Sequence, residues 1–126
     1  MRARLFLAGL VLAAGSAWAK QPGDVVKQGK EVFEENCAQC HRSNGKGLPG
    51  TFPAHDGNPF VTGDPTPVIA TVLNGRKGLL GQMPTWKDQL NDQQIAAVVT
   101  YIRQAWSNRA PGVTPDMVGE VRKIKK

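Results

Sequence analysis

The chain is 126 residues long, 40% hydrophobic, 6% aromatic and 21% charged, with a formal net charge of +6. That length makes one small domain with a limited core of its own. The moderate basic excess with few aromatic side chains argues against nucleic-acid binding, and the sequence offers no Ser/His/Asp set, no carboxylate pair with a reason to be close and no phosphate loop to support catalysis.

Residues 1–19 read as a secretory signal peptide: Arg2 and Arg4 form a positive start, residues 5–14 an apolar run, and Ala17-Trp18-Ala19 an A-x-A cleavage site. The run is shorter than the about 20 residues that span a bilayer; an uncleaved anchor is the competing reading. Cleavage leaves Lys20 first, in an oxidising periplasmic compartment, and lowers the net charge to +4 by removing two arginines and no acid. No second apolar run follows, so no membrane span is expected after cleavage. The remainder divides into a domain over residues 20–108 and a basic C-terminal tail over residues 109–126 that has room for a short helix.

Val26, Gly29, Phe33 and Cys37 recur at offsets of three and four, which predicts a first helix over residues 24–36. Gly29 on its inner face costs about 1 kcal/mol in helix propensity relative to Ala. Close approach of another helix backbone would explain it.

Cys37-Ala38-Gln39-Cys40-His41 follows, and holds both cysteines of the chain. C-x-x-C-H is the spacing of c-type haem attachment. Two thiols about one helical turn apart can each form a thioether to a porphyrin edge, and the adjacent imidazole can reach the iron. A redox-active dithiol would want a strand before the motif and a helix after it, whereas the flanks read as helix and Gly-rich loop. Zinc needs four ligands; Cys37, Cys40, His41 and the distant His55 supply four on paper, but adjacent Cys40 and His41 do not easily close one small tetrahedron. A structural disulfide is the remaining alternative. A buried haem would add a large apolar surface to a small core, so the chain without it is expected to fold poorly.

Residues 43–63 read as loop, with five glycines and three prolines that break both periodicities. Such a loop is unusual in a compact domain unless it is functional; a haem edge would supply the function. His55 lies here, and is read as a surface histidine in preference to a second axial ligand. Thr66 as N-cap and Pro67 at the first helical position predict a short buried helix that Asn74-Gly75 ends. Residues 76–89 form a second loop, where Met83 precedes Pro84. Met is a common core filler, but beside the haem motif Met83 reads as the second axial ligand, His/Met being the usual pairing in cytochromes c. Residues 91–107 are the most secure helix, with an Asn91/Gln94 capping box and an apolar stripe through Ile95, Val98, Val99, Ile102 and Trp106. In the tail, Met117 stands away from any strong stripe, and Arg122, Lys123, Lys125 and Lys126 read as a solvated end.

Together these features resemble a class I c-type cytochrome, the small bacterial monohaem kind, from Gly29 to about Ser107. Gly29 and Phe33 match the Gly and aromatic of that family's first helix, and Tyr101 matches the aromatic of the last helix that packs on them. The resemblance makes Cys37 and Cys40 the covalent haem attachment points and His41 and Met83 the axial ligands. It makes Pro53 the carbonyl that accepts the ligand histidine's other N–H, and Trp86 a residue that approaches a haem propionate. His55 stands where relatives often carry an apolar residue. The implied fold is all-α: three to four helices wrapped around one covalently bound haem c, with long Gly/Pro-rich loops. The implied function is a periplasmic one-electron carrier, not an enzyme, that shuttles between respiratory or dehydrogenase complexes and a terminal acceptor. The segments around Asn74-Gly75, Met83 and Trp106-Ser107-Asn108 also look, more loosely, like cytochrome subunits of periplasmic dehydrogenases, so the alternative is a dedicated subunit of a dehydrogenase or sulfur-oxidising complex. A haem enzyme or gas sensor would require Met83 to be off the iron. Arg42, Lys46, Arg76, Lys77 and Lys87 flank the haem loops as a candidate docking rim for acidic surfaces on an oxidase, reductase, quinol-oxidising complex or dehydrogenase. A monomer is expected.

Overall fold

The structure is a computed structural model that describes residues 20–124; the expected signal peptide over residues 1–19 lies outside the described residues. Four helices carry the domain: α1 (Pro22–Asn36), α4 (Pro65–Asn74), α5 (Asp92–Gln104) and α6 (Pro115–Lys123). Two single-turn helices, α2 (Ala38–His41) and α3 (Pro59–Thr62), and a two-residue antiparallel pair, β1 (Arg76–Lys77) with β2 (Gln82–Met83), lie in the connections.

Local sequence sets most of the boundaries. Helix α1 starts two residues before the expected Asp24, because Pro22 suits the first turn, where its missing N–H costs nothing. Asp64, rather than Thr66, caps α4: its carboxylate accepts the Thr66 N–H at 2.9 Å and Pro65 opens the helix. Helix α5 carries the full capping box, with the Asn91 side chain accepting the Gln94 N–H and the Gln94 side chain accepting the Asn91 N–H, both at 2.9 Å. It ends at Gln104, short of Trp106.

Helices α1 and α5 cross at Gly29. A Cβ built there would lie 2.0 Å from the Ala97 carbonyl oxygen and 2.7 Å from the Tyr101 Cβ, so only glycine lets the two backbones approach this closely. Beside the crossing, Phe33 packs on Tyr101 with ring centroids 5.4 Å apart. Phe33, Ile69, Leu73, Ile95, Val98, Val99 and Val118 are the largest fully buried side chains, and they join α1, α4, α5 and α6 in one core.

The segment expected as a C-terminal tail is described as far as residue 124, and it carries a helix packed on the rest of the fold. Thr114 caps α6 through the Met117 N–H, and Val118 and Val121 insert into the core. Met117 packs partly buried against the same core. Arg122, read as part of a solvated end, pairs with Asp92 at 2.7 Å and donates to the Leu90 and Lys87 carbonyls, pinning α6 to the start of α5. Two valines suffice here because each is buried; a buried Val contributes about 1.5–3 kcal/mol.

Arg103, near the end of α5, is 3% exposed. Its guanidinium donates to the carbonyls of Val61 at 2.7 Å, Gly63 at 2.8 Å and Pro111 at 2.8 Å. A buried charge is tolerable only when its donors are satisfied, and here three irregular segments supply the acceptors. Arg103 thereby ties α3, the start of α4 and the connection to α6 onto α5.

Candidate functional site

The C-x-x-C-H residues continue α1. The Cys37 N–H donates to the Phe33 carbonyl at 2.8 Å and the Cys37 carbonyl accepts the His41 N–H at 2.9 Å, so the chain stays helical through His41 and then turns sharply at Arg42, φ 63°. Cys37 and Cys40 are therefore one turn apart on one helical face. Both are half-buried free thiols. Burial first, and Cys40 second, push the Cys37 thiol up to about 11. That is opposite to the lowered pKa of a nucleophilic dithiol. Among the described residues no three or more His, Cys, Asp or Glu side chains gather to hold a metal ion, which leaves the zinc reading without a ligand set.

His41 is buried, and its Nδ1 lies 2.9 Å from the Pro53 carbonyl oxygen. A carbonyl can only accept, so Nδ1 carries the proton and Nε2 keeps a lone pair free for iron. Gly47 makes this contact reachable. It adopts φ +58°, and a Cβ there would sit 2.2 Å from the Phe52 carbonyl oxygen and 2.6 Å from that of Pro53. The loop can therefore fold flat against itself, with the Gly47 N–H on the His41 carbonyl at 3.0 Å. The 43–63 segment is not all loop: Leu48 and Phe52 form an isolated bridge, and α3 occupies Pro59–Thr62.

Met83 comes from the other half of the chain. It sits on β2 opposite Arg76 and packs partly buried against the core that also meets Cys37 and Trp86. The end of α4 fixes its position. The Thr85 hydroxyl donates to the Leu73 carbonyl at 2.6 Å, and the N–H groups of Trp86 and Lys87 donate to the Val72 and Leu73 carbonyls at 3.2 Å each. The Met83-Pro84-Thr85-Trp86 segment is thus stapled to carbonyls that a helix end leaves unsatisfied.

His55 departs from its expected place. It is not a surface histidine: its ring stacks on His41 with centroids 4.0 Å apart and planes inclined by 23°. Burial, with His41 second, pushes its pKa down to about 3, so the ring is neutral. Two rings face to face do not present nitrogens to one iron from opposite sides, so this stacking also disfavours His55 as a second axial ligand. Asn108, singled out only as part of a segment, is 2% exposed. It donates to the His55 and Ile102 carbonyls and accepts the Gly57 N–H, fastening the His55 loop to α5. No periodicity marks it, and its position just past an apolar helix was the only signal. Trp106 donates from Nε1 to the Ser43 carbonyl at 3.0 Å and closes the same loop from the far side.

The donor set fits a covalently tethered haem: two free thiols one turn apart, an imidazole held by its Nδ1–H, and a loop thioether. The surface fits it too. Among the described residues, four of the five exposed large apolar residues, Leu48, Phe60, Leu79 and Leu80, lie in the two loops that flank the motif and Met83. Leu79 and Leu80 are 102% and 72% exposed, an arrangement a small domain adopts when another apolar surface is to meet them. The five rim residues Arg42, Lys46, Arg76, Lys77 and Lys87 are all exposed, with the Arg76 guanidinium 5.6 Å from the centre of the Phe60 ring.

Comparison with known proteins places these features in a wider group. The sequence family described as "Cytochrome C oxidase, cbb3-type, subunit III" matches residues 24–102. The cytochrome c subunit of the alcohol dehydrogenase (quinone) of Gluconobacter oxydans (strain 621H) is 37% identical over 77% of this chain and 22% of that protein. The gluconate 2-dehydrogenase cytochrome c subunit of Pantoea cypripedii is 38% identical over 80% of this chain and 25% of that protein. The cbb3-type cytochrome c oxidase subunit FixP of Azorhizobium caulinodans is 39% identical over 64% of this chain and 28% of that protein. The chain thus spans about a quarter of the length of these relatives.

Proposed function

The chain belongs to the family of c-type cytochrome domains described by cbb3-type cytochrome c oxidase subunit III, and from that membership we propose that it acts, after export to the periplasm, as a monomeric one-electron carrier. It is an all-α electron-transfer protein with one covalently bound haem c, and not an enzyme.

We assign the thioether attachments to Cys37 and Cys40 and the axial positions to His41 and Met83. The observation that carries this is the His41 Nδ1–H donated to the Pro53 carbonyl at 2.9 Å, which leaves Nε2 as the ligand nitrogen. When bound, the haem supplies a one-electron Fe(III)/Fe(II) couple. The protein's part is to hold the ligands still. Two thioethers on one helix, an imidazole fixed by a carbonyl and a Met loop stapled to α4 leave little to rearrange when the charge changes. A neutral thioether and a pocket closed by the flanking loops disfavour the extra positive charge of the ferric state and raise the potential.

The exposed cations Arg42, Lys46, Arg76, Lys77 and Lys87 support docking on an acidic partner. Electron-transfer complexes are typically small and transient, and a basic rim would steer association in a salt-dependent way. The bimolecular rate with an acidic redox partner should fall steeply with ionic strength, and Arg76→Glu or Lys77→Glu should flatten that slope; a flat profile in the unaltered protein rejects steering. A second reading, a dedicated electron-accepting subunit of a dehydrogenase, is favoured by the likeness to the two dehydrogenase cytochrome c subunits. Co-purification with a larger catalytic chain selects it, and recovery as a free monomer selects the shuttle.

A further inference from the structure

His55 is held on both sides. Its N–H donates to the Gly45 carbonyl at 2.7 Å and its carbonyl accepts the Asn108 side-chain N–H at 2.9 Å, so the backbone has little freedom. The side chain is thereby laid on the face of His41, centroids 4.0 Å apart. Behind it stand the edge of Phe33 at 5.9 Å and the ring of Trp106 at 6.3 Å. Its Nδ1 is buried with no hydrogen-bond partner. An unsatisfied buried polar atom costs about 1–3 kcal/mol, a cost that an apolar side chain of similar size would not carry. Packing alone therefore does not call for a histidine at this position.

The two contacts on His41 act along different directions. The Pro53 carbonyl meets the Nδ1 edge and fixes the tautomer, but a single hydrogen bond leaves the ring free to rock about that bond. His55 lies against the face and opposes the rocking. We propose that His55 is a positioning residue, whose flat ring fixes the plane of the His41 imidazole and hence the orientation of the proximal ligand at the iron. This rests on the assignment of His41 as axial ligand. The consequence is electronic as well as steric: the plane of an axial imidazole sets how unpaired spin is distributed in a low-spin ferric haem.

The test compares the haem-loaded protein with His55→Leu, His55→Met and His55→Phe by electron paramagnetic resonance of the ferric form and by the hyperfine-shifted haem-methyl resonances in proton NMR. Leu and Met fill the space without a planar face; Phe keeps the face and removes both ring nitrogens. The expected result is a broadened or shifted lowest-field resonance and a redistributed methyl pattern in the Leu and Met variants, with Phe close to the unaltered protein. Having two non-planar variants keeps the comparison open if one of them fails to fold. Spectra of either non-planar variant that superimpose on the unaltered protein overturn the proposal, as does a Phe variant as perturbed as Leu. Absence of a low-spin His/Met signal in the unaltered protein overturns the ligand assignment instead, so the two failures are distinct.

Discussion

Replacing Gly29 by Ala puts a methyl group where the α1–α5 crossing leaves no room for one. Its carbon would stand 2.0 Å from the Ala97 carbonyl oxygen and 2.7 Å from the Tyr101 Cβ, against ordinary carbon contacts of about 3.5–4.0 Å. Both neighbours are rigid parts of α5, so the helices must part by roughly an ångström or more, loosening the Phe33–Tyr101 contact beside them. Overpacking of this kind costs about 1–3 kcal/mol, centrally about 2 kcal/mol. Loss of the aromatic contact adds about 0.5–1.5 kcal/mol, while helix propensity returns about 1 kcal/mol. The net expectation is destabilisation by about 2 kcal/mol. At roughly 4–8 °C per kcal/mol for a domain of this size, Tm should fall by about 8–16 °C in thermal denaturation of the haem-loaded protein followed by circular dichroism. Gly23→Ala is the internal control: it lies in the same helix with nothing within 4 Å of its added Cβ, so it should leave Tm unchanged or slightly raised. If Gly29→Ala also leaves Tm unchanged or raises it, the close crossing is wrong, because propensity alone would then be acting.

Arg103→Met should destabilise the fold by about 3 kcal/mol: it removes charge-assisted hydrogen bonds to three carbonyls, worth about 1.5–3 kcal/mol each, and also removes the desolvation cost of a buried guanidinium, which offsets part of that loss. Arg103→Lys should recover only part of this, because an ammonium cannot span the fork; equal Tm for Met and the unaltered protein would refute the bonding role. Expressed without haem attachment, the chain should show a shallow, poorly cooperative melt, because the apolar loop residues then face water. A sharp transition matching that of the haem-loaded form would contradict the view that the group completes the core.

What the sequence made legible and what it hid divide along physical lines. Elements set by short-range chemistry were readable: the Asn91/Gln94 capping box and the face of α1 that Gly29, Phe33 and Cys37 share lie within a turn or two of their causes. Side chains whose partners are remote in the chain were not. Arg103 bonds to Val61 and Gly63, 42 and 40 residues away, and Asn108 to His55, 53 away. Such contacts leave no periodic trace. The fate of the tail was hidden for a related reason. Val118 and Val121 look like a weak face beside four cations, yet Arg122 turns one of those charges inward to Asp92. His55 was visible as a departure from its relatives, but its stacking on His41 depends on the loop path that Gly47 and Asn108 impose.

The central claim is a single haem tethered at Cys37 and Cys40 and ligated by His41 and Met83. The optical spectrum of the oxidised protein, exported together with a haem-attachment system, tests it most directly. A low-spin ferric haem that resists extraction by acidic solvent and shows the weak Met-to-iron charge-transfer band, with that band lost in Met83→Ala, is the predicted result. Colourless protein whose two thiols are free or joined to each other, or coloured protein in which Met83→Ala leaves the spectrum unchanged, would contradict it.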